Sequence, residues 1–267
     1  MMTKPMCGAY PDPLHCNSMG IVGRWLFNER GSRVVDVCRN FDAGAISGAS
    51  WTGSKMGGGL RFDGSDDYVN IGTRGERYID YNKPFTISAW LTFHTYASTS
   101  YHAVLGHVSQ RGTTYSDIEI RINPNDQWEF VFTQAPATNT QDGFHWIWAA
   151  TVPVVGALYN LVFTYDGLNN YNNSVKFYLN GISQGASSGG NFGAITQSMY
   201  QSGFLQSHPL WVGRRNFGGG DMPFPGIIDQ VIISNRVWIP DEVKSIYKNP
   251  WSGLICSTYE MEELERA

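Results

Sequence analysis

Residues 62–72 read Phe62-Asp63-Gly64-Ser65-Asp66-Asp67-Tyr68-Val69-Asn70-Ile71-Gly72. Apolar side chains alternate along the chain on both sides of the acidic stretch, which predicts one strand before it and another after it. Glycine adopts positive φ at little cost and aspartate hydrogen-bonds to its own backbone, so Asp63-Gly64 favours a tight turn. The segment therefore predicts a β-hairpin and an all-β fold.

The composition agrees with an all-β protein. The chain has 267 residues, of which 14% are aromatic and 16% charged, with 30 glycines. This mixture is typical of short strands joined by tight turns, and a sandwich of this length is commonly one domain. The formal net charge is −4 with scattered basic residues, which argues against a nucleic-acid groove, and no apolar run is long enough to span a membrane.

The two ends of the chain differ from its middle. Residues 1–20 contain three prolines, no period and no apolar stretch typical of a signal peptide. We predict an irregular N-terminal arm there, one domain at residues 21–251, an acidic tail at residues 252–267, and synthesis in the cytosol. If both ends are ordered, a neighbouring subunit is expected to hold them, because free termini rarely stay fixed.

Alternating apolar and polar residues predict strands along the whole central region, at residues 25–27, 51–53, 85–91, 103–106, 117–122, 128–133, 161–165, 175–179, 210–213 and 226–233. Asn180-Gly181 is a strong hairpin signal. Residues 185–208 are rich in glycine, serine and glutamine, which predicts a long surface loop. Residues 240–247 have a proline in the first turn and one apolar face, which predicts a short helix.

The four cysteines leave two alternatives open. Cys7, Cys16, Cys38 and Cys256 show no paired C-x-x-C spacing, so a zinc site is not expected. Disulfides joining Cys7 to Cys16 and Cys38 to Cys256 are conceivable in an oxidising medium. The absence of a signal peptide favours four free thiols.

Five ordered motifs resemble those of laminin-G-like, concanavalin A-like jelly-roll domains. They are Gly58-Gly59-Leu60-Arg61-Phe62-Asp63-Gly64 running into Asp67-Tyr68-Val69, Pro84-Phe85-Thr86-Ile87-Ser88-Ala89-Trp90, Phe177-Tyr178-Leu179-Asn180-Gly181, Gly213-Arg214-Arg215, and Phe224-Pro225-Gly226-Ile227-Ile228-Asp229-Gln230-Val231 with the residues that follow it. The resemblance covers about residues 20–250 and implies an antiparallel two-sheet jelly-roll sandwich with one short C-terminal helix. Ile239 departs from the family, which usually has a small polar N-cap before the helical proline.

Domains of this kind often carry a calcium ion at the rim, and the resemblance implies candidate ligands here. These are Asp63, Asp66 and Asp67 with Asp229, since Ca²⁺ takes carboxylate and carbonyl oxygens. Asp229 lies in the apolar segment 226–233, so its carboxylate needs a metal, a backbone N–H or an arginine as partner. The alternative is structural: turn-forming aspartates, with Asp229 capping backbone amides.

Enzymes share this fold, so catalysis has to be weighed. Retaining glucanases of the concanavalin A type carry a Glu-x-Asp-x-Glu strand, and this chain has no Glu-x-Asp. Asp117 and Glu119 are the nearest approach and share one strand face with Arg121. A glycoside hydrolase using Asp117 and Glu119 is therefore the alternative function, but we expect Arg121 to neutralise Glu119 and the protein not to be an enzyme.

Carbohydrate recognition is the other common use of such a sheet, because sugar rings stack on aromatic side chains. The candidate ligand-binding residues are Trp146, Trp148, Tyr101, Tyr115, Trp128 and Tyr200. The alternative for each tryptophan is a place in the core.

The function predicted from the sequence is a non-catalytic surface module that binds a glycan or a partner protein, with calcium as a candidate cofactor. The resemblance to domains common in phage proteins, together with the missing export signal, predicts a virion decoration or tail protein that forms a homo-oligomer. Such a protein would reach the virion or extracellular surface by lysis. Other virion or surface proteins are its expected partners, with no nucleic acid and no membrane span.

Overall fold

The computed structural model describes residues 4–5, 9–72, 78–80, 83–95, 100–111, 114–134, 142–148, 153–168, 174–184, 188–191, 206–207, 209–215 and 222–256. For residues 108–111, 114–117, 132–134, 142–148, 188–191, 206–207 and 256 it describes the backbone alone.

The described chain is built of strands, one α-helix and one 3₁₀ turn. In chain order they are β1 (Ala9–Pro11), the 3₁₀ turn Cys16–Ser18, β2 (Ile21–Trp25), β3 (Arg33–Val34), β4 (Gly44–Ser47), β5 (Ser50–Ser54), β6 (Gly57–Asp63), β7 (Tyr68–Asn70), β8 (Phe85–Phe93), β9 (His102–Arg111), β10 (Thr114–Ile122), β11 (Trp128–Gln134), β12 (Asp142–Trp148), β13 (Leu158–Tyr165), β14 (Val175–Leu179), β15 (Ile182–Ser183), β16 (Ser188–Asn191), β17 (Gln206–Ser207), β18 (Trp211–Val212), β19 (Pro225–Ser234), α1 (Pro240–Lys248) and β20 (Leu254–Cys256).

Two large antiparallel sheets form the sandwich. The eight-stranded sheet has the order β15-β14-β13-β8-β19-β6-β5, with β2 also paired to β19. The ten-stranded sheet has the order β16-β12-β11-β10-β9-β18-β7-β4-β3, with β17 also paired to β9. The all-β, two-sheet antiparallel jelly-roll sandwich with one short C-terminal helix predicted from the sequence is confirmed.

The core lies between the two sheets and follows from the two-residue alternation of the strands. On β10, Ile118, Ile120 and Ile122 are fully buried in it, and on β6 so are Leu60 and Phe62. Fully burying one such side chain stabilises the fold by roughly 1.5–3 kcal/mol. The alternate residues of each strand therefore point to the outer face of their sheet.

The acidic segment is not a hairpin. β6 pairs with β5 and β19 in the eight-stranded sheet, whereas β7 pairs with β4 and β18 in the ten-stranded sheet. The turn between them is a corner where the chain crosses from one sheet to the other. Local alternation cannot distinguish a hairpin from a corner between sheets. In both cases the apolar side chains of the two strands point into the same core, and only the long-range strand pairing differs.

Several local predictions are confirmed. β10 and β11 form an antiparallel hairpin with Ile118 opposite Phe132. Asn180 and Gly181 both have positive φ, 53° and 76°, as the tight turn between β14 and β15 requires. The predicted loop at residues 185–208 is wrong in part, because β16 and β17 lie within it and pair with β12 and β9.

The helix begins at Pro240 despite the missing polar N-cap. Glu242 accepts a hydrogen bond from the Ile239 N–H at 2.9 Å, and Arg236 donates two more to its carboxylate at 2.6 and 2.8 Å. Burial would raise the pKa of Glu242, but these hydrogen bonds and the arginine charge hold it below its ordinary value. Val243 and Ile246 pack on the outer face of the eight-stranded sheet.

The described part of the N-terminal arm contacts the C-terminal region of the same chain. β1 pairs with β20, so both ends of the chain share a two-stranded sheet. Asn17 donates to the hydroxyls of Ser245 and Ser252 at 2.9 and 2.7 Å. The buried Arg24 donates to the carbonyls of Pro250 and Ser252. Within the predicted irregular arm, residues 9–11 form a strand whose partner lies about 245 positions away along the chain, beyond the reach of local sequence patterns.

Cys16 and Cys38 are free thiols, so the conceivable pairings that include them are not formed in this structure.

Within the described ranges, no helix is long and apolar enough to cross a bilayer.

Candidate functional site

One row of residues on the outer face of the ten-stranded sheet continues across five strands. Val131, Glu119, Gly106, Trp211 and Asn70 lie directly opposite one another in the strand register. The adjacent residues along the same strands, such as Leu105 and Val212, point to the opposite face and are buried in the core. This row faces away from the core; Glu119 and Val131 in it are buried, whereas Trp211 and Asn70 at its other end are partly exposed.

A buried ionic cluster occupies the middle of this face. Arg121 pairs with Glu119 at 2.7 Å and with Glu129 at 2.5 Å, and Arg215 forms an ion pair with the other oxygen of Glu119. Asn123 donates to Glu129 at 2.9 Å. Burial opposes the charge of Arg121, but the two glutamates prevail and raise its pKa.

This geometry bears on catalysis. The Glu119 carboxylate is 0% exposed, accepts a hydrogen bond from Arg121 and forms an ion pair with Arg215, so its charge is balanced within the protein. The predicted neutralisation of Glu119 by Arg121 is confirmed. The side chain of Asp117 lies outside the described side chains.

An aromatic stack lies beside the cluster at the end of β7 and β18. The rings of Tyr68 and Trp211 are parallel within 12° and their centroids are 4.1 Å apart. Both side chains are partly exposed. The Arg214 guanidinium lies 5.9 Å from the Tyr68 ring and donates to the Asp66 carbonyl at 2.9 Å.

Glycine at position 106 shapes the face. A Cβ there would lie 3.2 Å from the Cβ of Arg215, so the missing side chain lets Arg215 cross the sheet to reach Glu119. The sequence pointed to Gly213-Arg214-Arg215 only as a family motif. The alternation of Trp211 with Val212 was the available signal that Trp211 faces outward, but a two-residue strand is too short to reveal it.

The structure separates the predicted ligand-binding residues. Tyr101 lies on the outer face, 37% exposed, with the Arg121 guanidinium 4.3 Å from its ring. Trp128 is 0% exposed and packs against Phe93 and Tyr159 in the core, so its prediction as a ligand contact was wrong. Its burial follows from its place opposite Ile122 in the β10–β11 register.

The remaining predicted ligand contacts stay untested. The backbones of Trp146 and Trp148 pair with Phe130 and Trp128, and their side chains lie outside the described part, as does that of Tyr115. Tyr200 lies outside the described residues altogether.

The three aspartates of the corner come together. One carboxylate oxygen from each of Asp63, Asp66 and Asp67 lies within 4.8 Å of the others. Burial raises the pKa of Asp67, the Asp63 N–H lowers it, and the charges of Asp63 and Asp66 raise it again. A Cβ at Gly48 would lie 1.9 Å from the Asp67 carboxylate, so that position requires glycine.

These carboxylates suit a hard cation such as Ca²⁺, which would be completed by water and would relieve their mutual repulsion. Calcium binding stays a prediction. If it occurs, 1 mM CaCl₂ should raise the melting temperature relative to EDTA, and Asp66→Asn should abolish the difference. Equal melting temperatures in EDTA and in calcium would contradict it. Asp12→Asn, in another exposed turn, is the control.

Asp229 does not join this group. Pro225, four residues before it, pairs with Asp63, and β19 then runs away from the corner. Its carboxylate is 0% exposed and approaches Lys4 and Ser54 instead. The predicted four-aspartate site is therefore wrong in its fourth member, and Asp229 does not cap backbone amides in the described structure either.

Solved structures with a similar fold include proteins that act on or bind sugars. A Trypanosoma rangeli sialidase in complex with sialic acid superposes with a TM-score of 0.59 at 17% identity, over 85% of this chain and 32% of the sialidase chain. Domain 4 of AbnA, a GH43 extracellular arabinanase from Geobacillus stearothermophilus in complex with arabinotriose, superposes with a TM-score of 0.52 at 15% identity, over 85% and 98%. The binding domain of Paraclostridial Mosquitocidal Protein 1 gives 0.59 at 12% identity, over 87% and 53%.

These likenesses show the fold alone, and the chain spans about a third of the sialidase length. No curated protein matches the chain by sequence. A family model does match, over residues 63–244, from the corner to the C-terminal helix. The chain therefore belongs to the Laminin_G_3 family of the concanavalin A-like lectin/glucanases superfamily.

Proposed function

We propose that this protein is a non-catalytic surface module that binds a glycan on the outer face of its ten-stranded sheet. The observation that carries the proposal is the partly exposed Tyr68–Trp211 stack beside Arg214 and the ionic cluster. Aromatic faces accept the apolar faces of sugar rings, and adjacent charged and amide groups take their hydroxyls.

The neighbouring structures support a sugar ligand. The arabinanase domain that matches this chain over 98% of its own length is in complex with arabinotriose. The mosquitocidal protein fragment is described as a binding domain. Neither identity is high enough to transfer a binding site, so this chain's own residues must carry the contact.

The burial of Glu119 and its ion pairs with two arginines support the non-catalytic part of the proposal. A glycosidase needs two accessible carboxyl groups flanking the scissile bond. Glu119 is enclosed by Arg121 and Arg215, and the described residues offer no observation that favours hydrolysis over binding.

The glycan proposal predicts that Trp211→Ala lowers affinity by about 30-fold. Loss of a central aromatic contact commonly costs about 2 kcal/mol, which is that factor in the dissociation constant. A glycan array would identify the ligand, and titration calorimetry would compare the variants.

Tyr247→Ala is the matched control, because this 37% exposed aromatic lies on α1, which packs on the other sheet. Trp211→Phe keeps a stacking face and should recover most of the affinity. An array without hits, or equal affinity of Trp211→Ala and the wild type, would exclude this face as a glycan site.

We also propose that the protein assembles with other virion or surface proteins. The terminal sheet supports this with the exposed pair Tyr10 and Ile255, which lie opposite each other, and with Leu14 and Met19 nearby at 94% and 61% exposure. Monomeric mass in light scattering, together with no co-purifying virion protein, would contradict this part.

A further inference from the structure

Lys4 of the N-terminal arm is inserted into the protein on the side of the eight-stranded sheet. Its side chain is only 5% exposed, which is rare for lysine. The ammonium group donates to the Gly58 carbonyl and, at 2.8 Å, to the Asp229 carbonyl. Asn28 holds the next residue by donating to the Pro5 carbonyl. Lys4 therefore occupies a defined recess.

The recess is built to receive a cation. The Asp229 carboxylate is 0% exposed; the Ser54 hydroxyl lies near it, but within the described residues no donor makes a well-aligned hydrogen bond to either oxygen. The Trp251 ring lies 5.5 Å from the Lys4 ammonium. Two carbonyls, one carboxylate and one aromatic face thus surround this position, and each attracts an ammonium group.

Burial has the largest effect on the pKa values of Asp229 and Lys4 in the recess. It raises the pKa of Asp229 to about 6, against smaller effects of the Ser54 hydroxyl and the Lys4 charge. It also lowers the pKa of Lys4 to about 8, while the charges of Asp229 and Glu29 oppose it. At pH 7 the recess therefore holds an ammonium group near a carboxylate.

Glycines leave the space beside the recess free of side chains. A cavity of about 1000 Å³ adjoins the recess, lined among others by Lys4, Trp51, Gly53, Gly57, Gly58 and Gly59. A Cβ at Gly59 would lie 3.4 Å from an Asp229 oxygen and only 2.6 Å from Ile227. Only glycine there leaves the carboxylate and its neighbour undisturbed.

We propose that this recess is a binding site for a primary alkylammonium group, and that Lys4 occupies it as an intramolecular ligand that fastens the N-terminal arm. The site is separate from the proposed glycan face. An amine-bearing ligand, such as a lysine side chain or an amino sugar, would enter by displacing Lys4 into solvent and would extend into the adjoining cavity.

Chemical rescue tests the proposal. Lys4→Ala should lower the melting temperature, because it leaves the Gly58 carbonyl and the buried Asp229 carbonyl without their donor and removes the positive charge near the Asp229 carboxylate. n-Butylammonium has the same four-carbon stem and ammonium as lysine, and at 50 mM it should raise the melting temperature of Lys4→Ala by roughly 2 °C or more. The wild type should shift less, since its own lysine fills the site.

Controls separate the site from general amine effects. Lys55→Ala removes an exposed lysine that donates to the Gly156 carbonyl, and amine should not rescue it. Tetramethylammonium has no N–H and should fail. Rescue should be lost in Lys4→Ala/Asp229→Asn, and it should weaken at pH 5, where Asp229 is protonated.

Equal shifts of the wild type and Lys4→Ala, or rescue that persists without Asp229, would overturn the proposal. If Lys4→Ala does not fold alone, its refolding yield with n-butylammonium, compared with tetramethylammonium, gives the same decision.

Discussion

Replacing Asp36 with alanine should lower the free energy of unfolding by about 3–5 kcal/mol. The Asp36 carboxylate is 2% exposed and accepts four backbone N–H groups. They belong to Arg24, Cys38, Asn40 and Phe41, at 2.8, 2.9, 2.9 and 3.1 Å. Alanine leaves these donors buried without an acceptor, and each unsatisfied group costs about 1–3 kcal/mol.

Urea denaturation of the purified variants would measure this loss. Asp166→Ala is the matched control, because the Asp166 carboxylate accepts one N–H, that of Leu168, in an exposed turn. It should cost at most about 1 kcal/mol. A loss at Asp36 no larger than at Asp166 would show that the four hydrogen bonds do not stabilise the loop after β2.

Replacing Glu119 with alanine should cost a similar amount, about 3–5 kcal/mol. Arg121 and Arg215 would then lose the carboxylate that they share, although Arg121 keeps Glu129, and removing one partner of a buried ion pair is strongly destabilising. Glu119→Gln should cost less, because the amide oxygen still accepts one hydrogen bond.

Thermal and urea unfolding would again give the values. The pair of Arg236 and Glu242 supplies the comparison, because its side chains are 30% and 16% exposed and the ion pair is therefore partly screened by water. Arg236→Ala removes this ion pair. It should lower stability by about 1 kcal/mol. If Glu119→Gln kept full stability but abolished turnover of a polysaccharide, Glu119 would be catalytic and the binding proposal would fail.

Some predictions from the sequence held because they rest on local physics. The alternation of Ile118, Ile120 and Ile122 places one face of β10 in the core wherever the strand lies in the molecule. Asn180-Gly181 forms its turn because both residues tolerate positive φ. Glu119 and Arg121 share a strand face, so their ion pair followed from the spacing alone.

Other features needed the long-range pairing. The acidic segment forms the predicted turn, but this turn is a corner between the two sheets. The reason is that β6 and β7 pair with different strands far along the chain. Trp128 was indistinguishable from a surface aromatic until the register placed it opposite Ile122. Asp229 lies away from the three corner aspartates because it is four residues farther along β19 than Pro225, which pairs with Asp63.

The sequence by itself determined the fold class, the strands with strong alternation, the turn residues and the helix, since each depends on neighbours within a few positions. Only the tertiary structure decided which residues share a surface. It joined Tyr68 to Trp211, Arg215 to Glu119 and Lys4 to the strand of Asp229. Such contacts depend on sheet order and register, which are set by the packing of the whole core.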